Sequence, residues 1–366
     1  MSIDQIILDI MLIFMAIGIV DKLFLGSKFG YGTKFEEGMQ AMGALALAMV
    51  GIMCLAPVLG VILKAPVSAV FKIVGADPAM FAGSLLAIDM GGLPLAKAMT
   101  ENPQIIQLSG IYMGAMMGAT VVFSIPVSLG IIEEKDKPFL AKGMLAGFVS
   151  IPFGAFISGV MGGISPLVVI VNLIPSIVLA LLFALGLAFI PEKMMNGFNI
   201  FAKFIVIVIT VSLGIAIARH LGGIEIPGFE GMDPIVPQLE VCGIIAITLA
   251  GAFPLVHFIT TVFGKPLAAI GKLIGVNDVA AAGIVACLAN NIPMFGMMKD
   301  MDEKGKIYSV AFSVCASFAL GDHLGFTAGV DKGAISSMIV GKILGGVIGI
   351  VIAALLVVRS PKKAAA

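Results

Sequence analysis

Residues 78–99 read Pro78-Ala-Met-Phe-Ala-Gly-Ser-Leu-Leu-Ala-Ile88, then Asp89-Met90-Gly91-Gly92, then Leu93-Pro94 and onward to Met99. A membrane-crossing helix needs about 20 mostly apolar residues. This segment has that length, but a carboxylate, two glycines and a proline cut it in the middle. Its first half rises about 16 Å as a helix, half of a hydrocarbon core about 30 Å thick. The pattern predicts a half-helix, a polar tip and a return. A second segment, 279–298, reads the same way: Val279 to Ala289, then Asn290-Asn291-Ile292-Pro293.

The rest of the chain places these breaks inside a membrane. Its 366 residues are 60% hydrophobic and 12% charged, about half the charge of an ordinary soluble domain. The 22 basic and 22 acidic residues cancel, so no electrostatic footprint for nucleic acid exists. A soluble enzyme, a DNA binder and a disordered scaffold are excluded. Full-length spans are expected at 6–25, 39–63, 105–131, 141–163, 166–190, 197–219, 236–263, 307–329 and 336–358. The opening Met1-Ser2-Ile3-Asp4-Gln5 lacks a basic n-region and is followed by Asp9, unlike a cleavable signal peptide. Cys54, Cys242, Cys287 and Cys315 sit singly in apolar runs and read as small buried hydrophobes. There is no Walker A, HExxH or GxSxG motif, and no cofactor, metal ligand or catalytic residue is expected.

The two broken segments are related. Residues 64–88 align with 264–288 at an offset of 200, with Pro66/Pro266, Ala69/Ala269, Lys72/Lys272, Gly75/Gly275, Ala82/Ala282 and Gly83/Gly283 identical. Six identities exceed the roughly two expected by chance from this composition. The offset slips by one at the tip, where Pro94 faces Pro293. It recovers at Ser109/Ser309 and holds at Gly43/Gly243, Gly51/Gly251 and Lys142/Lys342. Loop charge decides whether the segments cross or return, because basic residues gather on the cytoplasmic side. If both cross, the Lys and Arg residues divide 11 to 11; if both return, 16 to 6, with Lys64, Lys72, Lys97, Arg219, Lys332 and Lys342 on the poorer side. The expected architecture is an all-α polytopic membrane protein of about nine transmembrane helices plus two re-entrant broken-helix hairpins. It forms two inverted five-element repeats. Residues 1–163 carry the hairpin at about 78–99, and 200–366 the hairpin at about 279–298. A linking transmembrane helix lies within 164–199. Nine spans put the N-terminus outside and the C-terminus in the cytoplasm. Inverted repeats with discontinuous helices recur in secondary transporters, whose sites lie at the breaks.

Candidate site residues follow from that placement. Asp89, beside Gly91 and Gly92, is an intramembrane carboxylate, costly and usually functional. It reads as the counter-charge for a cation or as an N-cap of the broken helix. Asn290 and Asn291 hold the second tip, where their carboxamides suit a hydroxyl or ammonium group or close the helix. Leu320-Gly321-Asp322-His323-Leu324-Gly325 falls inside the span 307–329, placing Asp322 about 22 Å along that helix. Asp322 and His323 read as a cation site or proton relay, or as a satisfied polar patch between packed helices. His257 reads as a packed, hydrogen-bonded residue, Asp9 and Asp21 as interfacial, Tyr112 and Phe312 as core. The run Asp300 to Lys306 reads as a solvated loop.

The opening Met-Ser-Ile-Asp-Gln through Asp21-Lys22, the stretch Leu86–Ala96, the tip Ala289-Asn-Asn-Ile-Pro-Met-Phe-Gly296 and Phe318-Ala-Leu-Gly-Asp-His-Leu-Gly-Phe326 together resemble the ethanolamine utilisation membrane proteins, bacterial ethanolamine permeases. The resemblance runs over nearly the whole chain. It implies uptake of ethanolamine across the bacterial cytoplasmic (inner) membrane, by facilitation, for catabolism in microcompartments. The family's site residues are not carried over. A primary amine with a pKa near ~10 is almost wholly cationic at pH 7, so Asp89 or Asp322 could replace the hydration of an ammonium while Asn290 or Asn291 takes the hydroxyl. The expected partners are this small molecule and the lipid bilayer; a homo-oligomer is left open. Two alternatives stand beside it. One is a proton- or sodium-coupled carrier of another small polar solute, for which His323 is suited by its titration range. The other is an intramembrane aspartyl protease using Asp89 and Gly321-Asp322, which would need the two carboxylates within hydrogen-bonding reach and lacks the usual glycine at Ala319.

Overall fold

The computed structural model describes residues 2–357, and their side chains except at 263–272 and 356–357. The side chains of Lys265, Pro266, Ala269 and Lys272, together with Arg359, Lys362, Lys363 and the end of the expected span 336–358, lie outside the described residues. Every regular element among the described residues is helical. They are α1 (Ile3–Leu25), α2 (Tyr31–Phe71), α3 (Met80–Leu85), α4 (Leu93–Met99), α5 (Pro103–Ile131), α6 (Lys137–Met161), α7 (Pro166–Phe189), α8 (Pro191–Gly222), α9 (Ile235–Ile274), α10 (Asp278–Cys287), α11 (Asn291–Met297), α12 (Glu303–Ala316), α13 (Asp322–Val330) and α14 (Ile335–Ile352). Among the described residues eight helices are long and apolar enough to cross a membrane. Leu167, Leu181, Leu182 and Leu185 on α7, and Ile200, Phe204 and Ile207 on α8, stand exposed, as side chains solvated by lipid do. This is a multi-pass membrane protein.

Glycines set the packing by letting backbones touch. α2 and α9 run antiparallel, with Gly30 against His257, Gly38 against Leu249 and Ala250, and Gly243 facing Met42. α6 and α14 are likewise antiparallel, through Gly154–Gly341 and Ser150–Gly349. α5 runs against α6, with Met116 beside Gly154 and Leu108 beside Gly159, whereas α12 runs along it, with Val310 beside Gly143 and Val314 beside Gly147. Gly51 rests on the Ile209 carbonyl of α8, and Gly251 on the Met11 carbonyl of α1.

Both broken segments turn back on themselves. Along α5 the first meets Ser109 and Gly114 at Gly83, and Gly118 at Leu86. It then returns to Gly114 at Ile88 and to Gly110 at Leu93. Its ends are tied where Thr100 donates to the Asp77 carboxylate at 2.9 Å; Asp77 also caps the turn into α3 by accepting from the Ala79 amide. The second closes similarly. The Asn277 amide donates to Asp302 at 2.8 Å, the Asn277 carboxamide to the Asp300 carbonyl at 3.0 Å, and Gly283 faces Met294 across the hairpin.

One expected span differs. Residues 307–329 do not form a continuous helix: α12 stops at Ala316 and α13 begins at Asp322. Between them the Phe318 and Leu320 amides donate to the Cys287 and Leu288 carbonyls at 3.0 and 2.9 Å. Two helix ends thus satisfy each other's orphan backbone groups, as a nonaqueous interior demands. Gly321 permits this because a Cβ there would lie 2.1 Å from the Ala289 oxygen, and Phe318 takes a φ of 64°.

Three charges also sit where loops or interfaces were expected. Lys342 is 1% exposed in the middle of α14. Asp21 is buried and accepts from the Phe29 and Gly32 amides, fastening the turn between α1 and α2. Lys306, at the end of the supposedly solvated run, is buried and paired with Asp136 at 2.6 Å. Removing one partner of such a pair leaves an uncompensated buried charge, at about 3–5 kcal/mol. Lys306→Met is therefore expected to lower stability by that amount in a thermal or denaturant unfolding measurement, and Lys306→Met with Asp136→Leu to recover most of it.

Candidate functional site

The three breaks converge. The tip Ile88–Gly92 packs against α2, α5 and α13. Gly91 has a φ of 103°, and a Cβ there would lie 2.5 Å from the Ile52 side chain; a Cβ on Gly92 would lie 2.6 Å from the Leu86 oxygen. Both glycines are thus demanded by the reversal itself, and neither end of the tip carries a side-chain cap.

Asp322 does not lie along a continuous span. It occupies the first turn of α13, where the helix dipole favours a carboxylate. It lines a cavity of about 370 Å³ together with Asn290, His257, Lys34 and Glu37. Asn290 caps the start of α11 by accepting from the Ile292 amide at 2.8 Å, so it opens the return helix and does not close α10. The His257 ring nitrogen meets the Phe29 carbonyl at 2.9 Å, as a hydrogen-bonded histidine, although it is half-exposed to this cavity. The tip that carries Asp89 packs against α13, the helix that Asp322 opens.

Asn291 and His323 point elsewhere. The Asn291 carboxamide is fully buried and donates to Ser124 at 2.8 Å, leaving its oxygen without a partner. His323 is buried against the Phe318 ring, centroids 5.0 Å apart, with Nδ1 unpartnered. Tyr112 is a core residue whose hydroxyl bonds Ser337 at 2.7 Å, and Phe312 packs under Gly346.

A second cavity, about 690 Å³, lies at the other end of α13, lined by Phe326, Gly329 and Val330 with Lys97, Asp233 and Gln238. The two cavities share α2, α9 and α13 as walls, and α13 is about 13 Å long. Between them the walls close where Leu249 presses on Gly325 and Ile52 on Gly91.

The family comparison matches residues 3–356, described as "Ethanolamine utilisation protein, EutH". The chain belongs to the EutH family. Its sequence is similar to proteins named "Probable ethanolamine permease EutH" from Listeria monocytogenes, at 54% identity over 90% of this chain and 87% of the relative, and from Salmonella typhimurium, at 50% over 90% and 89%. It is also 41% identical, over 90% of this chain and 88% of the relative, to the uncharacterized protein YxeR of Bacillus subtilis. No solved structure matches this chain.

In this EutH chain the sequence pattern missed one charged residue near the breaks. Lys342 donates to the Ala115 carbonyl in the π-helical stretch Gln107–Gly118 of α5. Its neighbour Gly114 rests on the Ile88 amide, one residue from Asp89. A lysine flanked by Gly341 and Gly345 within an apolar span was the available signal. The loop-charge division instead counts it on the poorer side. Ser124, which meets Asn291, carried no such signal.

Proposed function

We propose that the chain carries ethanolamine, as its ammonium form, across the bacterial cytoplasmic membrane by facilitated uptake, with Asp322 and Asn290 forming the primary binding pair. The observation that carries this reading is the carboxylate in a cavity where two helix breaks, at Ala289–Asn290 and Gly321–Asp322, meet α2 and α9, with a second cavity at the far end of the same short helix. Asp322 accepts the ammonium and the Asn290 carboxamide faces the hydroxyl, while Asp89, Gly91 and Gly92 sit on the first tip, which packs against α13. Asn291, bonded to Ser124, and His323, packed against Phe318, lie outside the cavity lining and are not part of the binding pair. The names of the relatives support ethanolamine over another solute, and favour neither an ion-coupled carrier nor an intramembrane aspartyl protease; the chain is read as a transporter and not an enzyme.

The two-repeat division at 1–163 and 200–366 belongs to the same proposal, with the linking helix within 164–199. It is supported by the antiparallel pairs α2/α9 and α6/α14, the opposed α5 and α12, and the matched contacts of Gly51 and Gly251. The hairpin closures at Asp77 and Asn277 support it too. The loop-charge bias supports, within this proposal, an N-terminus outside and the cavity of Lys34, Glu37 and Asp322 on the cytoplasmic side.

The test is uptake of labelled ethanolamine into proteoliposomes at pH 6, with and without imposed proton or sodium gradients. Saturable flux that stops at equal concentrations is the expected result. Accumulation only with a gradient would replace the facilitator by a coupled carrier, and absence of flux would refute ethanolamine as substrate.

A further inference from the structure

The loop from α8 into α9 is held like the loop from α1 into α2. In the first loop Asp21 accepts from the Phe29 and Gly32 amides at 3.2 and 3.0 Å. In the second Arg219 donates to the Phe229 and Met232 carbonyls, both at 3.1 Å. The two clamped positions differ by an offset of 200 in each case. An acid grips them through their amides in one loop, and a base grips them through their carbonyls in the other. Each loop leads into one member of the antiparallel pair α2/α9, and each helix lines a cavity at corresponding places. Met53, Ala56 and Pro57 line the cavity of about 690 Å³, while Phe253, Val256 and His257, 200 residues on, line that of about 370 Å³.

The larger cavity carries polar groups of its own. The Asp233 amide, at the end of the clamped loop, donates to the Cys54 carbonyl of α2 at 2.9 Å. That bond fixes residue 233 against the cavity, which its side chain lines with Gln238 of α9 and Lys97 of α4. Among the described residues the Asp233 carboxylate, the Gln238 carboxamide and the Lys97 ammonium make no hydrogen bond or ion pair with the protein. A free carboxylate and a free carboxamide in one cavity repeat the chemistry of Asp322 and Asn290: an acceptor for an ammonium and a partner for a hydroxyl. Lys97 sets this end apart. It is a like charge to an entering ammonium, and both it and Asp233 are exposed, where a charge pair is weak. A weak hold suits a site that substrate enters and leaves.

We propose that Asp233 and Gln238 form a second binding site for the amino alcohol, on the face opposite the Asp322 cavity, where the carboxylate takes the ammonium and the carboxamide the hydroxyl before the substrate passes along α13. This rests on the uptake reading above and gives that reading a separate place of loading.

The test is cysteine protection in nanodiscs, where both faces meet solvent. Cys54, Cys242, Cys287 and Cys315 are buried, so Val330→Cys, in the lining of the larger cavity, supplies the reactive thiol. Ethanolamine is expected to slow its labelling by a maleimide, and 1-propanol, of similar size but uncharged, to leave the rate unchanged. Adding Asp233→Asn should raise the half-protecting ethanolamine concentration about fivefold or more, the scale of an exposed charge pair, and Asp233→Glu should keep it near the parent value. Asp322→Asn should leave protection in place. The proposal is overturned by a thiol that does not label, by protection that ethanolamine fails to give, by the same half-protecting concentration in Asp233→Asn, or by protection that disappears in Asp322→Asn. If the parent shows no flux in proteoliposomes, the uptake reading fails and the loading role with it, while the labelling still decides whether Asp233 binds the amine.

Discussion

Asp322→Asn is expected to abolish saturable ethanolamine uptake while leaving the protein folded. The substitution keeps the shape of the side chain and removes its charge. As a stabilising element Asp322 has little to lose: a carboxylate in the first turn of a helix contributes about 0.3–1 kcal/mol. As the partner of a desolvated ammonium it has far more at stake. Truncating one member of a buried charge pair costs about 2–5 kcal/mol, which is about 30-fold in affinity at the lower end. The two effects are separable by measuring flux and melting temperature on the same preparation. A large loss of flux with a melting temperature within a few degrees of the parent supports the assignment. Flux retained at normal expression removes Asp322 from the binding pair.

The same residue shows what could be read without coordinates. Apolar runs bounded by charged loops marked the membrane helices, because bilayer thickness fixes their length. The tips at Asp89 and Asn290 were legible because glycine, proline and asparagine crowd positions where an apolar helix should continue. The break before Asp322 was not. Ser317 to Gly321 contains nothing that forbids a helix except one glycine, and the interruption exists because Cys287 and Leu288 offer carbonyls that the Phe318 and Leu320 amides can meet. That pairing joins residues about thirty positions apart, and no local pattern encodes it. Lys342 was hidden for a related reason. A single lysine in an apolar stretch looks the same whether it sits at a helix end or at its middle, and only the packing of Gly154 against Gly341 fixes which. Lys306 shows the converse: a run of charges reads as solvated, yet its last member is drawn inward by Asp136.

The barrier between the two cavities yields the second large effect. Leu249 is fully buried, and a Cβ on Gly325 would lie 2.2 Å from its Cδ2. Gly325→Val therefore forces Leu249 off the α13 surface or drives α13 away from α9. Overpacking of this kind costs about 1–3 kcal/mol, too little to unfold a well-packed membrane protein but enough to fix one arrangement of a wall that has to move. Uptake through Gly325→Val is expected to fall about 5- to 150-fold, since 1.4 kcal/mol on a rate-limiting rearrangement is one decade. The informative measurement is the suppressor. Leu249→Ala removes the atoms that the added valine meets, so Gly325→Val with Leu249→Ala should regain flux, whereas Leu249→Ala alone leaves a gap between the cavities and should admit bulkier amines such as choline. If the double variant transports no better than Gly325→Val, the α9–α13 contact is not the barrier. The closure would then have to be sought on the other wall, where Ile52 meets the tip at Gly91.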